Sequence, residues 1–352
     1  MTSPSYNSVN MPPTSLVTGS TGFLASHVVD QLLSAGHRVI GTVRSPHKAA
    51  RLAEAFKQQI ASGQLELETL SDVRNAGEFK AIFEKHPEIK YILHTASPFN
   101  YNTTDPEKEM LQPAVEGTTT VLKAAKDHAP NVEKVVITSS LAAILNIATF
   151  NDPSTTLTEK DWNPITWEQA AEKGNPYANY IGSKAMAEKA SVEFEKMEKP
   201  KFKLTWVNPV LILGPGIILD PLAINTSNEA IVTNAFETKP GQKPPVKAGY
   251  FVDVRDCAKA HVSALNPEFD GRRLFLSTSK YCTQDFLNIA NQLPEFKGKI
   301  AEFDPIEREK ELHSLAQIDN SATLKLLNYD LISLEHSVTD FAKEWLSYER
   351  ND

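Results

Sequence analysis

Through the first two hundred residues, short and almost continuously apolar runs alternate with stretches in which apolar residues recur every three or four positions. Runs of the first kind suit strands buried on both faces, and those of the second suit amphipathic helices, so the alternation predicts βαβ units around a parallel sheet. Strands are expected at 16–18, 38–43, 65–70, 91–95, 135–139 and 204–207. The helix after the first strand should begin near Gly22, bury Leu24, Val28, Leu32 and Leu33, and stop at Gly36. A second helix should start at Ser45, a candidate cap, with Pro46 in its first turn and Leu52 and Phe56 facing inward.

Past Pro209 the periodicity gives way to a segment rich in proline and glycine, 214–248, as expected of inserted structure that handles a substrate. A strand at 250–252 with a helix after it, a strand at 274–276 and helical segments near 283–293, 321–328 and 334–348 complete the chain. No internal repeat or low-complexity block interrupts it.

Composition narrows the class. With 352 residues, 41% hydrophobic and 23% charged, the chain reads as globular, with enough apolar material for a sizeable core. A formal charge of −8 with scattered Lys and Arg offers no basic field for nucleic acid or an anionic membrane face. Cys257 and Cys282 are too few for a disulfide framework and match no zinc spacing, which fits a reducing compartment. Residues 1–13 hold neither a positive charge nor an apolar run, so they read as a mobile tail and not as a leader. No apolar stretch nears the roughly 18 residues that span a bilayer. A cytoplasmic location is the expectation.

The run LVTGSTGFLA puts Gly19 and Gly22 between the first strand and its helix, with Ala25 completing G-x-x-G-x-x-A. Glycine permits positive φ and close backbone approach to a pyrophosphate, and the helix N-terminus favours its charge. As the first βα turn of a repeated βα pattern, this is where a dinucleotide would bind. The second strand ends in Arg44, with Lys48 one turn on, where an NAD site would offer a carboxylate. Two cations there suit the 2′-phosphate of NADPH.

Tyr180 and Lys184 stand four apart in an expected helix beginning near Tyr177, and so share a face. A nearby ammonium favours the phenolate, making the tyrosine hydroxyl a better proton donor near neutrality. The TSS run at 138–140 ends the fifth strand, so a hydroxyl of Ser139 or Ser140 would face the crevice beyond the strands' carboxyl ends. Tyr177 lacks a lysine at that spacing and reads as a packing residue.

The glycine turn, HTASP at 94–98, TSS, Tyr180 with Lys184, NPV at 208–210 and YFVDVRDCAKAH at 250–261 occur in the order of a known family. The chain resembles extended short-chain dehydrogenases over roughly residues 14–348. Within them it is most similar to yeast NADPH-dependent methylglyoxal and ketone reductases, relatives of dihydroflavonol and cinnamoyl-CoA reductases. The resemblance implies an α/β fold: a Rossmann doubly wound parallel sheet (14–207 plus 248–277) with a smaller C-terminal substrate-binding lobe (208–247 plus 278–350). It implies Ser140, Tyr180 and Lys184 as catalytic residues, choosing Ser140 over Ser139. It also implies NADPH contacts from Gly19, Gly22, Phe23, Leu24, Arg44, Lys48, Asp72, Val73, Thr95, Ala96, Tyr180, Lys184, Pro209, Val210 and Ser227, with Asp72 meeting the adenine amino group. Phe99, Leu141 and Leu211 are the expected substrate wall. The two leucines stand where close relatives carry aromatics, which leaves room for a bulkier ketone.

Two further motifs drop out. Ser45-x-x-Lys48 lacks the partners of an acylating serine, and Cys257 with His261 lacks further metal ligands, so no metal is expected. Three functions remain: reduction of small aldehydes and ketones, sugar-nucleotide epimerisation or dehydration on the same fold, and non-catalytic NADPH sensing. The oligomeric state, monomer or homodimer, stays open.

Overall fold

The computed structural model describes residues 12–97, 103–218, 224–245 and 247–349, with the side chains of residues 46–48 and 349 not described. The expected tail lies almost wholly outside these residues. Twelve strands are described: β1 (Thr14–Thr18), β2 (Arg38–Val43), β3 (Leu65–Thr69), β4 (Ile89–His94), β5 (Lys134–Thr138), β6 (Thr156–Leu157), β7 (Lys203–Pro209), β8 (Leu211–Leu213), β9 (Ala248–Asp253), β10 (Arg273–Leu276), β11 (Ser279–Cys282) and β12 (Gln317–Ile318).

Seven of them form one sheet in the order β10-β7-β5-β4-β1-β2-β3, with every neighbouring pair parallel. The chain runs outward from β1 to β3 and then returns to β4 on β1's other side. That reversal opens a crevice at the carboxyl ends of β1 and β4.

Both faces of the sheet's centre are covered, which is why its inner strands read as nearly continuous apolar runs, whereas the edge strand β3 alternates Leu and Glu and is only partly buried. Leu16 packs with Phe79, Phe83, Ile92 and Val135 on one face, whereas the next residue, Val17, packs with Ala25, Val28 and Val136 on the other. The helix Phe23–Ser34 buries Val28 and Leu32 completely, and Gly36 turns the chain out of it at φ 84°. The helix Pro46–Ala55 forms where expected, with Leu52 and Phe56 buried. Ser45 takes the N-cap position, but its side chain makes no capping hydrogen bond; proline stands in the first turn, as expected.

The C-terminal region carries its own small mixed sheet, β11-β9-β8, with β9 antiparallel to β11 and parallel to β8. A third core cluster fills this region, where Phe236 stacks on Phe296 and Phe341 at ring separations of 4.6 and 6.0 Å. The strand β8 precedes the proline-rich stretch, which yields a short helix Thr226–Ile231 and a turn of π-helix, Val232–Phe236. No described helix is long and apolar enough to cross a membrane.

Candidate active site

At the end of β1, Gly19 adopts φ 69°, and a Cβ there would lie 3.0 Å from the Ala96 Cβ beyond β4. Only glycine suits both constraints. The turn is pinned to β2 as the amides of Gly19 and Ser20 donate to the Thr42 hydroxyl (3.0 Å) and carbonyl (2.9 Å). Gly22 then begins the helix Phe23–Ser34 with no side-chain cap, so first-turn N–H groups remain for an anion.

The floor opposite is equally fixed. The Thr18 hydroxyl accepts from the amides of Thr95 and Ala96, both at 3.1 Å, and therefore donates to His94 Nδ1 at 3.0 Å. Burial, assisted by the Lys184 charge, pushes the His94 imidazole down to about 4. It is thus neutral at physiological pH and carries its proton on Nε2.

A cleft of about 630 Å³ runs along this turn. Of the residues expected to hold a dinucleotide, Gly19, Gly22, Arg44, Asp72, Val73, Thr95 and Ala96 line it. Phe23 lines an adjoining cavity of about 480 Å³, which shares Thr21 and Gly22 with the cleft. Leu24 is half-buried against the main core. Pro209 and Val210 are buried at the carboxyl end of β7. Ser227 sits in the helix Thr226–Ile231 and lines neither space. The side chain of Lys48 and all of Phe99 lie outside the described residues.

Two cations that sequence reasoning missed, Arg74 and Lys108, also line the cleft. Arg74 forks onto Asp72, with Nε 3.0 Å from each carboxylate oxygen, and holds that carboxyl below its usual range. An Asp-x-Arg spacing after the third strand was the available signal.

The helix Pro176–Glu198 carries the tyrosine and lysine. Asn175 caps it by accepting from the Ala178 amide at 3.1 Å, and Pro176 suits its first turn. Tyr180 and Lys184 are both half-buried, one turn apart. Desolvation pushes the Lys184 ammonium from its usual 10.5 down to about 8. Tyr177, expected to pack, is 49% exposed, while Ala178 and Asn179 of the same turn are buried.

The helix packs against the turn Leu141–Ala143, whose N-cap is Ser140. The two serines divide. Ser139 is 5% exposed and its hydroxyl donates to the buried Glu188, whereas Ser140 is half-buried, with its oxygen accepting from the Ala142 amide at 3.1 Å. Ser140 therefore keeps a hydroxyl proton to offer. Leu141 and Leu211 are both half-buried, the first against the main core and the second against the C-terminal cluster.

His261 uses both ring nitrogens, Nδ1 donating to the Cys257 carbonyl and Nε2 accepting from Thr138, each at 2.7 Å. Its lone pair is thereby engaged. Among the described residues one trio, Glu66, Glu68 and His86, gathers ligand-type atoms, but Lys85 bonds both carboxylates and Arg38 bonds Glu66.

A parallel sheet with a glycine turn at its reversal point and a Tyr-Lys helix beside it is the framework of nucleotide-dependent oxidoreductases and epimerases. The chain belongs to the NAD dependent epimerase/dehydratase family, whose profile matches residues 15–274. It is similar in structure to Gre2 of Candida albicans, solved in complex with NADPH, at a TM-score of 0.90 and 41% identity over 96% of this chain and 99% of that one. The NADPH-dependent methylglyoxal reductase GRE2 of Saccharomyces cerevisiae is 39% identical over 341 residues, covering 95% of this chain and 98% of the relative. The ketoreductase azaE of Aspergillus niger is 34% identical, covering 92% and 95%.

Proposed function

We propose that this protein reduces aldehydes and ketones to alcohols with NADPH, using Tyr180, Lys184 and Ser140. The observation that carries the reading is a desolvated lysine one turn from Tyr180, on a helix abutting Ser140, in a chain whose glycine turn and Arg44 line a cleft at the carboxyl end of the sheet, though none of Ser140, Tyr180 and Lys184 lines that cleft itself. The residues present fit the cofactor. Gly19 leaves a cradle that a Cβ would fill, the first helix offers uncapped N–H groups to the pyrophosphate, and Arg44 with Lys48 would meet the 2′-phosphate. Pro209, Val210 and Ser227 would border the nicotinamide end. NADPH, when bound, supplies the hydride that reaches the carbonyl carbon.

The chain's own residues handle the oxygen. As negative charge develops there, Tyr180 gives up its phenolic proton and Ser140 donates a hydrogen bond, so both interactions strengthen toward the transition state. Lys184 favours the phenolate that remains and holds the ribose. Leu141, Leu211 and Phe99 would form an apolar wall that accepts a substituent by burial and not by charge. Residues 208–247 and 278–350 would form the substrate lobe.

Purified protein should oxidise NADPH when offered a panel of aldehydes, diketones and aryl ketones. Tyr180→Phe should lower turnover at least about a hundredfold, with NADPH binding nearly kept. Wild-type turnover in that variant would remove Tyr180 from the mechanism.

A further inference from the structure

Glu188 stands one turn beyond Lys184 on the helix that carries Tyr180, and its side chain is fully buried. A carboxylate there requires several donors, and it has three from three different strands. The Ser139 hydroxyl donates from the end of β5, Asn208 Nδ2 from β7 at 2.6 Å, and the Arg273 guanidinium from β10. Asn208 Nδ2 also donates to the Ser140 carbonyl at 3.2 Å. Arg273 is itself anchored, donating to the carbonyls of Glu159 and Asp161 at 2.8 and 2.6 Å.

We propose that Glu188 is a positioning residue for the reduction, fixing where Ser140 and Pro209 stand relative to Tyr180 and Lys184. The proposal rests on the reductase reading. Tyr180, Lys184 and Glu188 share one rigid helix, so their separations are set by helical rise, about 6 Å per four residues. Ser140 follows Ser139 by a single peptide and has extended backbone, which sends the two side chains to opposite sides: Ser139 inward to Glu188, Ser140 away from it. Pro209 follows Asn208 in the same way. One carboxylate thus locks the proton donor's helix to the hydroxyl that orients the substrate and to the strand end that borders the nicotinamide. Ser139, committed to Glu188, is consequently no spare for Ser140.

Glu188→Gln keeps the side chain's size but turns an amide N–H₂ toward groups that are themselves donors. On the folded enzyme, kcat should fall about ten- to a hundredfold, as expected for a misplacement of up to about 1 Å. NADPH affinity should stay nearly unchanged. The primary isotope effect with NADPH deuterated at the transferred position should rise, because hydride transfer becomes more rate-limiting, and a purely structural role would not move it. Wild-type kcat and isotope effect in a Glu188→Gln enzyme of lowered stability would overturn the proposal. Should that variant not fold, Ser139→Ala removes one donor without stranding a charge. It should show a severalfold lower kcat and a raised isotope effect, and wild-type values there would equally overturn the role. Failure of the wild-type protein to oxidise NADPH with any carbonyl would instead overturn the reductase reading, and this role with it.

Discussion

Replacing Gly182 by alanine would put a methyl carbon 2.2 Å from the Ala170 Cβ and 3.2 Å from its Cα. Apolar carbons rest about 3.5 Å or more apart, so roughly 1.3 Å must be made up. Ala170 is fully buried and its methyl group has no rotamer to swing away, so backbone has to move. Two effects oppose each other in stability. Alanine gains up to about 1 kcal/mol over glycine inside a helix, whereas overpacking a close contact costs about 1–3 kcal/mol. A net loss of roughly 0–2 kcal/mol follows. Activity should respond more strongly, because Gly182 lies between Tyr180 and Lys184 and any displacement is centred on that pair. A misplacement of about 1 Å costs roughly a hundredfold in rate. Thermal unfolding of Gly182→Ala beside steady-state carbonyl reduction should therefore show a small drop in Tm and a large drop in kcat. A variant more stable than wild type, with unchanged turnover, would show that the helix contact does not set the geometry of the pair.

Replacing Arg44 and Lys48 together by alanine should weaken NADPH by about 1.5–3 kcal/mol and leave NADH nearly untouched, and equal weakening of both in a fluorescence titration would make these residues structural. Burial holds the Lys184 pKa near 8 against its usual 10.5, so between those values the unfolded chain binds more protons and stability rises with pH. The stability that Lys184→Met gains over wild type, measured by denaturant unfolding of cofactor-free protein, should therefore be largest below pH 8 and shrink toward pH 10; a pH-independent difference would contradict this. Leu141→Trp or Leu211→Trp should reduce kcat/KM on a bulky ketone far more than on a small aldehyde, and an equal fall on both would remove these leucines from the substrate wall.

Much of this was written locally in the chain. Most of the parallel strands are legible because burial on both faces makes them dense apolar runs, β3 at the sheet edge being the exception with its alternating Leu-Glu pattern, and the observed strands begin within two residues of the expected positions. The glycine turn is legible because its constraint, positive φ beside a helix start, falls on Gly19 itself. Tyr180 with Lys184 is legible because one helical turn brings them together. What depends on distant partners was not. Glu188 looks like any surface acid of a helix until Ser139, Asn208 and Arg273 arrive from other strands. Gly182 reads as a weak point in a helix until Ala170 is seen against it. Tyr177, which reads as a packing residue for want of a lysine at the needed spacing, is left half exposed by the helix's phase at its first turn. The strand β11 and the helix Pro305–His313 escaped because neither carries an apolar pattern: β11 reads SKYC with only Cys282 buried, and the helix buries only Glu311 among its residues.

The Thr18 hydroxyl, gripped by two amides from beyond β4 and bonded on to His94, has a consequence for how tightly a nucleotide can be held. Loops that must become ordered around a ligand lose conformational entropy at the moment of binding, about 1–2 kcal/mol for each backbone residue fixed. Here Gly19, Thr95 and Ala96 are tied before any ligand arrives, through the Thr42 and Thr18 side chains, so that entropy is already lost when the chain folds. The floor on which a pyrophosphate would lie in the proposed reading is preorganised. On the proposed reading, Gly19, Thr95 and Ala96 would add no ordering cost to cofactor binding, and oxidised and reduced cofactor would exchange across them without this part of the surface having to rebuild.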